Sequence, residues 1–382
     1  MRLVTFTPPL KTCYTTLMKI ALTGGGTAGH VYPLLALAEE LKQRGHLNDQ
    51  PLSFIYIGQK GGVEEQLAEA AGLPFYGITA GKLRRYFSFK NFSDIFRVFK
   101  AYKQAKKILK RERPALLFSK GGFVTVPPVI AAAKLGIPVY IHESDSDLGL
   151  ANRLAARFAK IIFVPYQETK ESLKPSFKDK TIVSGNPVRA AMAQGKTDTA
   201  NQLYNLKEND KVILALGGSS GALQVNNLIA EIAPQLAGKA TIIHQMGKNL
   251  YKESKQPHYQ TFPYINEQLP HLIARADVVV SRAGAGAIWE FAGLQAACIF
   301  IPLGMRGDQL RNAKLLEQRG ACLILSGEEA TADNLLTAIN TLLENETQRL
   351  ALKKAIGGLI TINSTAFIAD KIIKELQGEA AG

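Results

Sequence analysis

Cysteine is scarce in this sequence, since Cys13, Cys298 and Cys322 are the only three among 382 residues. Three cysteines without C-x-x-C spacing exclude a disulfide framework and a zinc site, and they suit a reducing compartment. Long apolar runs are also missing. The uncharged stretch 291–305 is shorter than the roughly 20 residues that a membrane-spanning helix needs.

A secretory signal is not apparent at the amino terminus. Residues 1–17 lack the apolar segment and the small-residue cleavage site of a signal peptide. Because the first strand is expected directly after Met18, we interpret residues 1–17 as a leader, either disordered or translated from an upstream start codon. The fold is therefore predicted to begin near Met18.

Acidic residues are too few to balance the basic ones. The chain has 46 Lys and Arg against 32 Asp and Glu, which gives a formal net charge of +14. Such an excess favours an anionic partner, namely nucleic acid, anionic lipid or a phosphorylated substrate. Hydrophobic residues make up 46% of the chain, enough to build the cores of two ordinary domains.

Short β-rich runs alternate with helical patterns almost throughout, which is typical of parallel sheets covered by helices on both faces. Two glycine-rich turns, each after the first strand of its half, predict an α/β fold of two Rossmann-like domains facing each other across a cleft. We expect the first domain to span residues 18–185 and the second to span residues 186–360, with a ligand bound from each side of the cleft. A C-terminal helix within 361–382 is expected to pack back toward the first domain. The predicted strands are residues 19–23, 52–58, 115–119, 139–142, 161–164, 212–216, 241–245, 278–281, 298–302 and 322–325.

The first glycine turn, GGGTAGH at residues 24–30, satisfies the dinucleotide pattern G-x-G-x-x-G. That pattern also requires an acid at the end of the next strand to hold a ribose, and here the strand ends in Gln59 and Lys60. Dinucleotide binding is therefore disfavoured, although the turn still suits an anion. His30 directly after the turn is either a general base or a histidine that bonds a neighbouring loop.

Two further segments contain residues that could bind a metal ion or a diphosphate. Asp145-Ser146-Asp147 matches the D-x-D motif of metal-dependent sugar transferases, but helix-capping acids are the more ordinary interpretation. Residues 281–294 again indicate a strand, a glycine turn and a helix, so their helix start can bind a diphosphate. Glu290 in that helix is placed to reach a ribose diol, or is simply a carboxylate favoured by the helix dipole.

Residues 82–113 carry a net charge of +10, with 12 Lys and Arg against two acids, interleaved with aromatic side chains. Phe92, Phe96 and Phe99 at helical spacing favour a core-packed amphipathic helix. The preceding LRRYFSF is harder to bury, and a basic aromatic surface docks on anionic lipid. We favour a membrane surface over single-stranded nucleic acid, because no nucleic-acid motif accompanies this segment.

Taken together, the chain from about residue 18 to about residue 374 resembles the MurG family of N-acetylglucosaminyltransferases of peptidoglycan synthesis. The resemblance lies in TGGGTAGHVYPLLALAEEL, SKGGFVTVPPVIAAAKLGIPVYIHESDSDLGLANR, GNPVR, LGGSSGA, SRAGAGAIWE and GDQLRNA. It implies the GT-B fold and an inverting transfer of N-acetylglucosamine from UDP-N-acetylglucosamine to the C4 hydroxyl of lipid I, which forms lipid II. No metal or other cofactor is implied. The implied location is the cytoplasmic face of a bacterial plasma membrane, with lipid I, anionic lipid and cell-wall synthesis proteins as partners and no nucleic acid.

The resemblance also implies roles for individual residues. His30 and Glu143 are the two candidates for the general base. Asp145 stands where some members carry asparagine, and Phe123 where some carry tyrosine. The acceptor region comprises Gly25, Gly26, Gly122, Phe123 and Asn152. Leu83, Arg84, Arg85, Phe87 and Phe89 are expected at the membrane. The residues expected to bind UDP-N-acetylglucosamine are Thr27, Ala28, Gly29, Asp145, Arg189, Ser219, Ile265, Arg282, Ala285, Gly286, Ala287, Ile288, Glu290, Asp308 and Gln309.

In the implied reaction, either His30 or Glu143 removes the proton of the acceptor hydroxyl as it attacks the anomeric carbon. Backbone N–H groups at residues 284–287, with Ser219 and an arginine, stabilise the leaving diphosphate in place of a metal. The first glycine loop then faces the acceptor pyrophosphate or the donor sugar. Two alternatives remain: a GT-B transferase with another lipid or soluble acceptor, and a non-catalytic protein that binds a nucleotide sugar or RNA.

Overall fold

Two parallel sheets form the centres of two α/β domains, as the alternating pattern predicts. The computed structural model describes residues 18–44, 46–47, 50–79, 90–218, 221–361 and 363–378. None of the helices within these ranges combines the length and the apolarity that crossing a bilayer requires.

The first sheet has the strand order β2-β3-β1-β5-β6-β7-β8, with β4 beside the carboxyl half of β3. Every pairing is parallel except that of the short β2 with β3. The strands are β1 (Met18–Thr23), β2 (His46–Leu47), β3 (Gln50–Gln59), β4 (Phe75–Ile78), β5 (Leu116–Ser119), β6 (Val139–His142), β7 (Ile161–Val164) and β8 (Thr181–Val183).

Helices cover both faces of this sheet because each one turns an apolar stripe toward it. On α1, Leu34, Leu37 and Leu41 are fully buried at helical spacing, and Pro33 lies in the first turn, where proline is tolerated. The opposite face is covered chiefly by α3, α4 and α5. The helices are α1 (Tyr32–Gln43), α2 (Val63–Ala70), α3 (Lys90–Glu112), α4 (Val126–Lys134), α5 (Leu150–Ala155), α6 (Gln167–Glu171) and α7 (Pro175–Lys178).

The second sheet is wholly parallel, with the order β11-β10-β9-β12-β13-β14. Its two central strands are apolar except for the final Ser281, since they are buried on both faces. The strands are β9 (Val212–Leu216), β10 (Thr241–Gln245), β11 (Tyr259–Phe262), β12 (Val278–Ser281), β13 (Cys298–Phe300) and β14 (Leu323–Ile324). The helices are α8 (Thr197–Tyr204), α9 (Leu223–Ile232), α10 (Leu269–Arg275), α11 (Ala285–Gly293), α12 (Asp308–Gln318), α13 (Ala332–Glu344), α14 (Glu346–Gly357) and α15 (Ser364–Leu376).

The last helix, α15, packs against the first domain rather than the second. Its residues Ile368, Ala369 and Ile372 are buried in the same apolar cluster as α1. The Asp370 carboxylate pairs with Arg44 at the end of α1. Because α15 crosses back in this way, the chain joins the two domains twice, once near Gly185 and once before α15.

One expectation about α3 is wrong. The spacing of Phe96 and Phe99 favours a core-facing position, yet their side chains are 72% and 55% exposed. The face of α3 that packs on the sheet is formed by small and aliphatic residues, Ala101, Ala105 and Leu109. The aromatic residues therefore belong to the basic, solvent-facing side of the helix. Side chains of residues 80–95 lie outside the described part.

Candidate active site

A cavity of about 220 Å³ lies between the two domains, beyond the carboxyl ends of their strands, where open parallel sheets bind ligands. The first domain contributes its glycine turn and the start of α1. The second domain contributes its strand ends and α11, and the connecting segment crosses between them. The lining residues are Ala28, Gly29, Tyr32, Pro33, Pro187, Val188, Arg189, Leu216, Gly218, Gln245, Tyr264, Ile265, Leu269, Ser281, Gly286, Ala287, Glu290 and Phe291.

His30 ends a 3₁₀ turn, Ala28–His30, whose first two residues, Ala28 and Gly29, line this cavity. Its Nδ1 lies 3.0 Å from the Gly25 carbonyl oxygen and 3.2 Å from Thr27 Oγ1. A carbonyl can only accept, so Nδ1 carries the hydrogen and Nε2 keeps its lone pair. Burial, assisted by the positive charge of Lys120, lowers the pKa of His30. The imidazole is therefore held neutral, as a general base requires.

The glycine turn that presents His30 is held from within the first domain. The buried Glu64 carboxylate accepts the Gln59 N–H at 3.1 Å and the Gly26 N–H at 3.4 Å. The Tyr56 hydroxyl donates to the Gly24 carbonyl at 2.9 Å. Glu64 is thus committed to its own loop, so the first acid after β3 does not serve a ribose.

The predicted acceptor residues gather beside this turn. Gly122 has φ +91°, and a Cβ there would overlap the Gly25 carbonyl oxygen, so only glycine permits this approach. The Phe123 ring lies next to Gly26, and the Asn152 amide lies next to Gly121. The structure therefore brings Gly25, Gly26, Gly122, Phe123 and Asn152 into one region on the first-domain side of the cleft.

The two candidate bases differ sharply in their surroundings. The buried Glu143 carboxylate accepts four N–H groups. Ser144 N and Asp145 N donate to Oε1 at 2.7 and 3.1 Å, and Gly149 N and Asn152 Nδ2 donate to Oε2 at 2.9 Å each. A carboxylate offers about four lone-pair sites, and all are used here. Glu143 therefore holds its own loop and has no free lone pair for a substrate proton.

The acids of the D-x-D pattern contact the second domain. Asp145 Oδ1 accepts from Asn312 Nδ2 at 2.9 Å, and Asp147 pairs with Arg311 at 2.9 Å. Burial, together with the Glu143 carboxylate, raises the pKa of Asp145 to about 6. Within the described residues, no three or more His, Cys, Asp or Glu side chains are grouped to share a metal ion. These acids thus tie the loop to α12.

On the side that is proposed to bind the donor, Gly284 is the N-cap of α11 and provides no side-chain hydrogen bond, so the first N–H groups of the helix remain open to an anion. Glu290 Oε1 lies 3.4 Å from Arg189 Nη2, and the Arg189 guanidinium lies 4.8 Å from the Tyr32 ring centroid. Burial raises the pKa of Glu290, and Arg189 opposes this. Ala285 and Ile288 are buried beneath Gly286 and Ala287, which line the cavity.

Of the other residues predicted to bind UDP-N-acetylglucosamine, some line the cavity and some bond to the surrounding protein. Ile265 lines the cavity, whereas Arg282 directs Nη1 at Gln224 and at the carbonyls of Ile301 and Pro302. Asp308 pairs with Arg311, and Gln309 Oε1 accepts the Leu303 N–H at 2.9 Å. Arg282 therefore braces the backbone behind the turn.

Several predicted residues lie outside the described part of the chain. They are Ser219 in the second glycine turn and the membrane segment residues Leu83, Arg84, Arg85, Phe87 and Phe89.

Sequence reasoning missed two polar groups of the site. Gln245 ends β10, accepts the Ile265 N–H at 2.8 Å and donates to the Gly218 carbonyl at 3.2 Å. Lys120, at 1% exposure, directly follows β5, and its backbone N–H donates to the Thr23 carbonyl at the end of β1 at 2.9 Å. The available signal was a polar residue directly at the carboxyl end of a buried parallel strand.

Comparisons with known proteins agree with this arrangement. Residues 20–164 match the glycosyltransferase family 28 N-terminal domain, and residues 212–371 match its C-terminal domain. A Clostridium botulinum (strain Kyoto / Type A2) relative is 43% identical over 332 residues, covering 86% of this chain and 91% of the relative. It is named UDP-N-acetylglucosamine--N-acetylmuramyl-(pentapeptide) pyrophosphoryl-undecaprenol N-acetylglucosamine transferase.

Two solved structures share the fold. Acinetobacter baumannii MurG is 26% identical with a TM-score of 0.70, covering 94% of this chain and 99% of that one. The calicheamicin glycosyltransferase CalG4 is 14% identical with a TM-score of 0.71, covering 96% and 100%. The predicted two-domain GT-B architecture is thereby confirmed.

Proposed function

Because this chain belongs to glycosyltransferase family 28, we propose that it transfers N-acetylglucosamine from UDP-N-acetylglucosamine to the C4 hydroxyl of lipid I, forming lipid II. The observation that carries the proposal is the pairing of two features at one cavity. On the first-domain side a neutral histidine, His30, directly follows Ala28 and Gly29, which line the cavity, and on the second-domain side the uncapped start of α11 lines it through Gly286 and Ala287. The identity of 42–43% to relatives with this activity in their name supports the same substrates.

His30 is the proposed general base. Its Nδ1–H is engaged by the Gly25 carbonyl, so Nε2 is the atom that takes the acceptor hydroxyl proton as that oxygen attacks the anomeric carbon. Glu143 is proposed instead to hold the loop 143–149 in place, since both of its oxygens are saturated.

The departing UDP gains negative charge as the sugar leaves. The open N–H groups at the start of α11, with the Arg189 guanidinium, are proposed to stabilise that charge. Glu290 is proposed to accept from the ribose hydroxyls once Arg189 turns toward the diphosphate. We propose that no metal is needed, because Asp145 and Asp147 are engaged by Asn312 and Arg311.

The acceptor is a lipid, so the enzyme has to reach a membrane surface. Exposed Phe96 and Phe99 on α3 lie among basic side chains, with Lys103 Nζ 4.6 Å from the Phe99 ring centroid. Such a surface suits an anionic leaflet, and it continues the basic, aromatic segment that precedes it in sequence. We propose peripheral binding to the cytoplasmic face of a bacterial plasma membrane.

The direct test is incubation of the purified protein with labelled UDP-N-acetylglucosamine and lipid I. We expect the disaccharide lipid to form, and to form equally in excess EDTA. No product from lipid I, but transfer to a soluble or different lipid acceptor, would identify another transferase of the same fold. Donor binding without transfer to any acceptor would identify a binding protein.

The membrane surface is tested separately by co-sedimentation with vesicles containing anionic lipid. Replacing Arg84, Arg85, Phe87 and Phe89 by serine is expected to weaken vesicle binding, and F96S with F99S should do the same to a smaller extent. Unchanged partition in both variants would contradict membrane docking here. Binding of single-stranded RNA at matched salt would assign the surface to nucleic acid instead.

A further inference from the structure

A second cavity, of about 460 Å³, lies on the first domain and takes no part in the reaction proposed above. Its walls are the loop after β6, the residues of α5 and just beyond it, and the segment that leads into α7. We call it the basic pocket, because three of its side chains are cations. The lining residues are Asp147, Leu148, Arg153, Arg157, Ser172, Leu173, Lys174 and Phe177.

The cations of the basic pocket have no anionic partner in the part of the chain that the structure describes. No carboxylate oxygen there lies within 4.0 Å of a side-chain nitrogen of Arg153, Arg157 or Lys174. The one acid of the lining, Asp147, is paired with Arg311 of the second domain at 2.9 Å. The pocket therefore carries an unbalanced positive charge, which favours an anionic ligand.

The two arginines suit a carboxylate in particular. Arg153 uses its Nε to donate to the Leu148 carbonyl at 2.7 Å, which fixes the side chain against the loop and leaves its terminal nitrogens for a ligand. Arg157 is exposed, and its guanidinium lies on the same pocket. A guanidinium presents parallel N–H donors that match the two oxygens of a carboxylate.

The apolar side of the basic pocket is fixed by the core of the domain. Leu148 is buried, and Leu173 and Phe177 pack against the same apolar cluster. The Phe177 carbonyl accepts from Thr181 Oγ1 at 2.7 Å, and Lys180 Nζ lies 5.4 Å from the Phe177 ring centroid. Because these contacts need no ligand, the pocket is preformed, and it suits an anion that has apolar groups beside it.

The basic pocket adjoins the acceptor region. Asn152 and Arg153 are consecutive residues of α5, and the first lies next to Gly121 in the acceptor region while the second lines the pocket. The loop 143–149 is shared in the same way, since its first residue bonds the Asn152 amide and its later residue Leu148 lines the pocket. A group that extends from the acceptor region past α5 therefore reaches the pocket.

Lipid I, the proposed acceptor, has such a group. Its pentapeptide is attached through a lactyl ether to C3 of the sugar, next to the C4 hydroxyl that reacts. Five extended residues span up to roughly 17 Å and end in a carboxylate. We propose that the basic pocket binds this peptide, with Arg153, Arg157 and Lys174 holding its C-terminal carboxylate and the apolar side receiving the side chains next to it. The inference rests on the proposed function.

An anionic lipid headgroup is the other source of a negative charge near this enzyme. The surface proposed to meet the membrane lies on α3, where Phe96 and Phe99 are exposed. Helix α4 packs against both α3 and α5, so it separates that surface from the basic pocket. The position beside the acceptor region therefore favours the peptide.

The kinetic test uses the double variant R157M/K174M, because neither side chain bonds another described residue. The two acceptors compared are lipid I and an analogue that ends at the lactyl group as its amide and so has no carboxylate. We expect the KM for lipid I to rise about 10-fold with kcat within about 2-fold, since the lost contact is the same in the ground state and the transition state. The KM for the analogue should stay unchanged.

The matched control is K134M/K178M, which removes two lysines of the same domain that do not line the pocket. It should leave both KM values unchanged, and circular dichroism checks that each variant is folded. A higher KM for both acceptors in R157M/K174M, together with weaker binding to anionic vesicles, would assign the pocket to the membrane and overturn the proposal. An unchanged KM for lipid I would overturn it as well.

A second readout does not depend on transfer. Soluble N-acetylmuramoyl-pentapeptide is titrated into the isotope-labelled protein and followed by NMR, either as the free acid or as the C-terminal amide. We expect the wild type to bind the acid about 5-fold more tightly than the amide, and R157M/K174M to bind both equally. Equal binding by the wild type would overturn the proposal. Preference for the acid in a protein that forms no lipid II would support the pocket and contradict only the proposed reaction.

Discussion

The two domains contain the same local pattern of strand, glycine turn and helix, yet the two turns are built in opposite ways. In the first domain the turn after β1 is held from within, by Glu64, by Tyr56 and by the close approach of Gly122. In the second domain the turn before α11 is more open, because added Cβ atoms at Gly284 and Gly286 would meet nothing within 4 Å, although α11 and α1 both begin without a side-chain cap.

This difference teaches that a glycine turn before a helix is not by itself a nucleotide site. Where the backbone N–H groups and the nearest carboxylate are used internally, the turn becomes a rigid support for a side chain, here His30. Where the N–H groups stay open and a carboxylate lines the cavity, the turn can take a diphosphate and a ribose. The comparison predicts that changes in the turn after β1 affect chemistry or stability, whereas changes in the turn before α11 affect the affinity for the donor nucleotide.

The largest effect is expected for H30A. Removing the base should lower kcat by about 10²- to 10⁴-fold, while the Kd for UDP stays within about 2-fold, because the nucleotide is proposed to bind the other domain. Steady-state kinetics and calorimetry measure the two quantities. H258A is the control, since His258 lies at the amino end of the second sheet. A matching loss of UDP affinity in H30A would place the first turn in the nucleotide site.

The next effect is expected for G122A. The added Cβ would overlap the carbonyl oxygen of Gly25, which also accepts from His30, and φ is +91°. We expect the free energy of unfolding to fall by about 3 kcal/mol and kcat to fall by more than about 10-fold. G136A is the matched control, because its φ is +73° with no atom near the added Cβ. It should cost only about 1 kcal/mol. If urea unfolding gave equal losses of unfolding free energy for G122A and G136A, the close approach of Gly122 to the Gly25 carbonyl would not matter for stability.

The carboxylates of Glu290 and Glu64 are expected to differ in which property their loss affects, UDP affinity or stability. E290Q should weaken UDP binding by about 10-fold without a comparable loss of stability, because the carboxylate is proposed to accept from the ribose. E64Q should leave UDP binding unchanged and lower the free energy of unfolding by about 1–2 kcal/mol. The glutamine amide N–H would face the backbone N–H groups that donate to the Glu64 carboxylate. Calorimetry measures the UDP affinity of both variants, and urea unfolding measures their free energy of unfolding. A loss of UDP affinity in E64Q would contradict the view that Glu64 only supports the turn after β1.

The smallest effect is expected at Asp145, which links the two sides through Asn312. Its pKa is raised to about 6 by burial, so the folded protein binds this proton more tightly than the unfolded chain. The carboxylate therefore destabilises the fold above about pH 6, and the penalty fades as the pH falls through 6 toward the ordinary range. D145N should raise the unfolding free energy by about 1 kcal/mol at pH 7.5 and by much less at pH 4.5.

For that measurement D179N serves as the control, because Asp179 is exposed at the surface. It should change the unfolding free energy by less than about 0.5 kcal/mol at either pH. A gain in D145N that is equal at both pH values would show that burial of the charge is not its cause.

The sequence predicted most of the sheet scaffold, since buried parallel strands are apolar runs that need no context. The bounds of β6, β7, β9, β10 and β12 agree with those predicted. Four strands were missed because they are too short to show a pattern: β2 has two residues, β8 has three, and β4 and β11 have four each and are interrupted by glycine or glutamine. The exposed Phe96 and Phe99 were misjudged because periodicity identifies a face, but not which face meets the sheet.

By itself, the sequence determined the two α/β domains, the glycine turns and the residues at strand ends, because these follow from periodicity and from the carboxyl-end rule for parallel sheets. Only the tertiary structure decided which of those residues is free to act on a substrate and which one holds a loop. Glu143 and His30 look equally suitable as bases in sequence, and they differ because four N–H groups converge on one and a single carbonyl orients the other. Lys120 acquires its place only when β5, the loop after β6 and the connecting segment meet, since its surroundings come from distant parts of the chain.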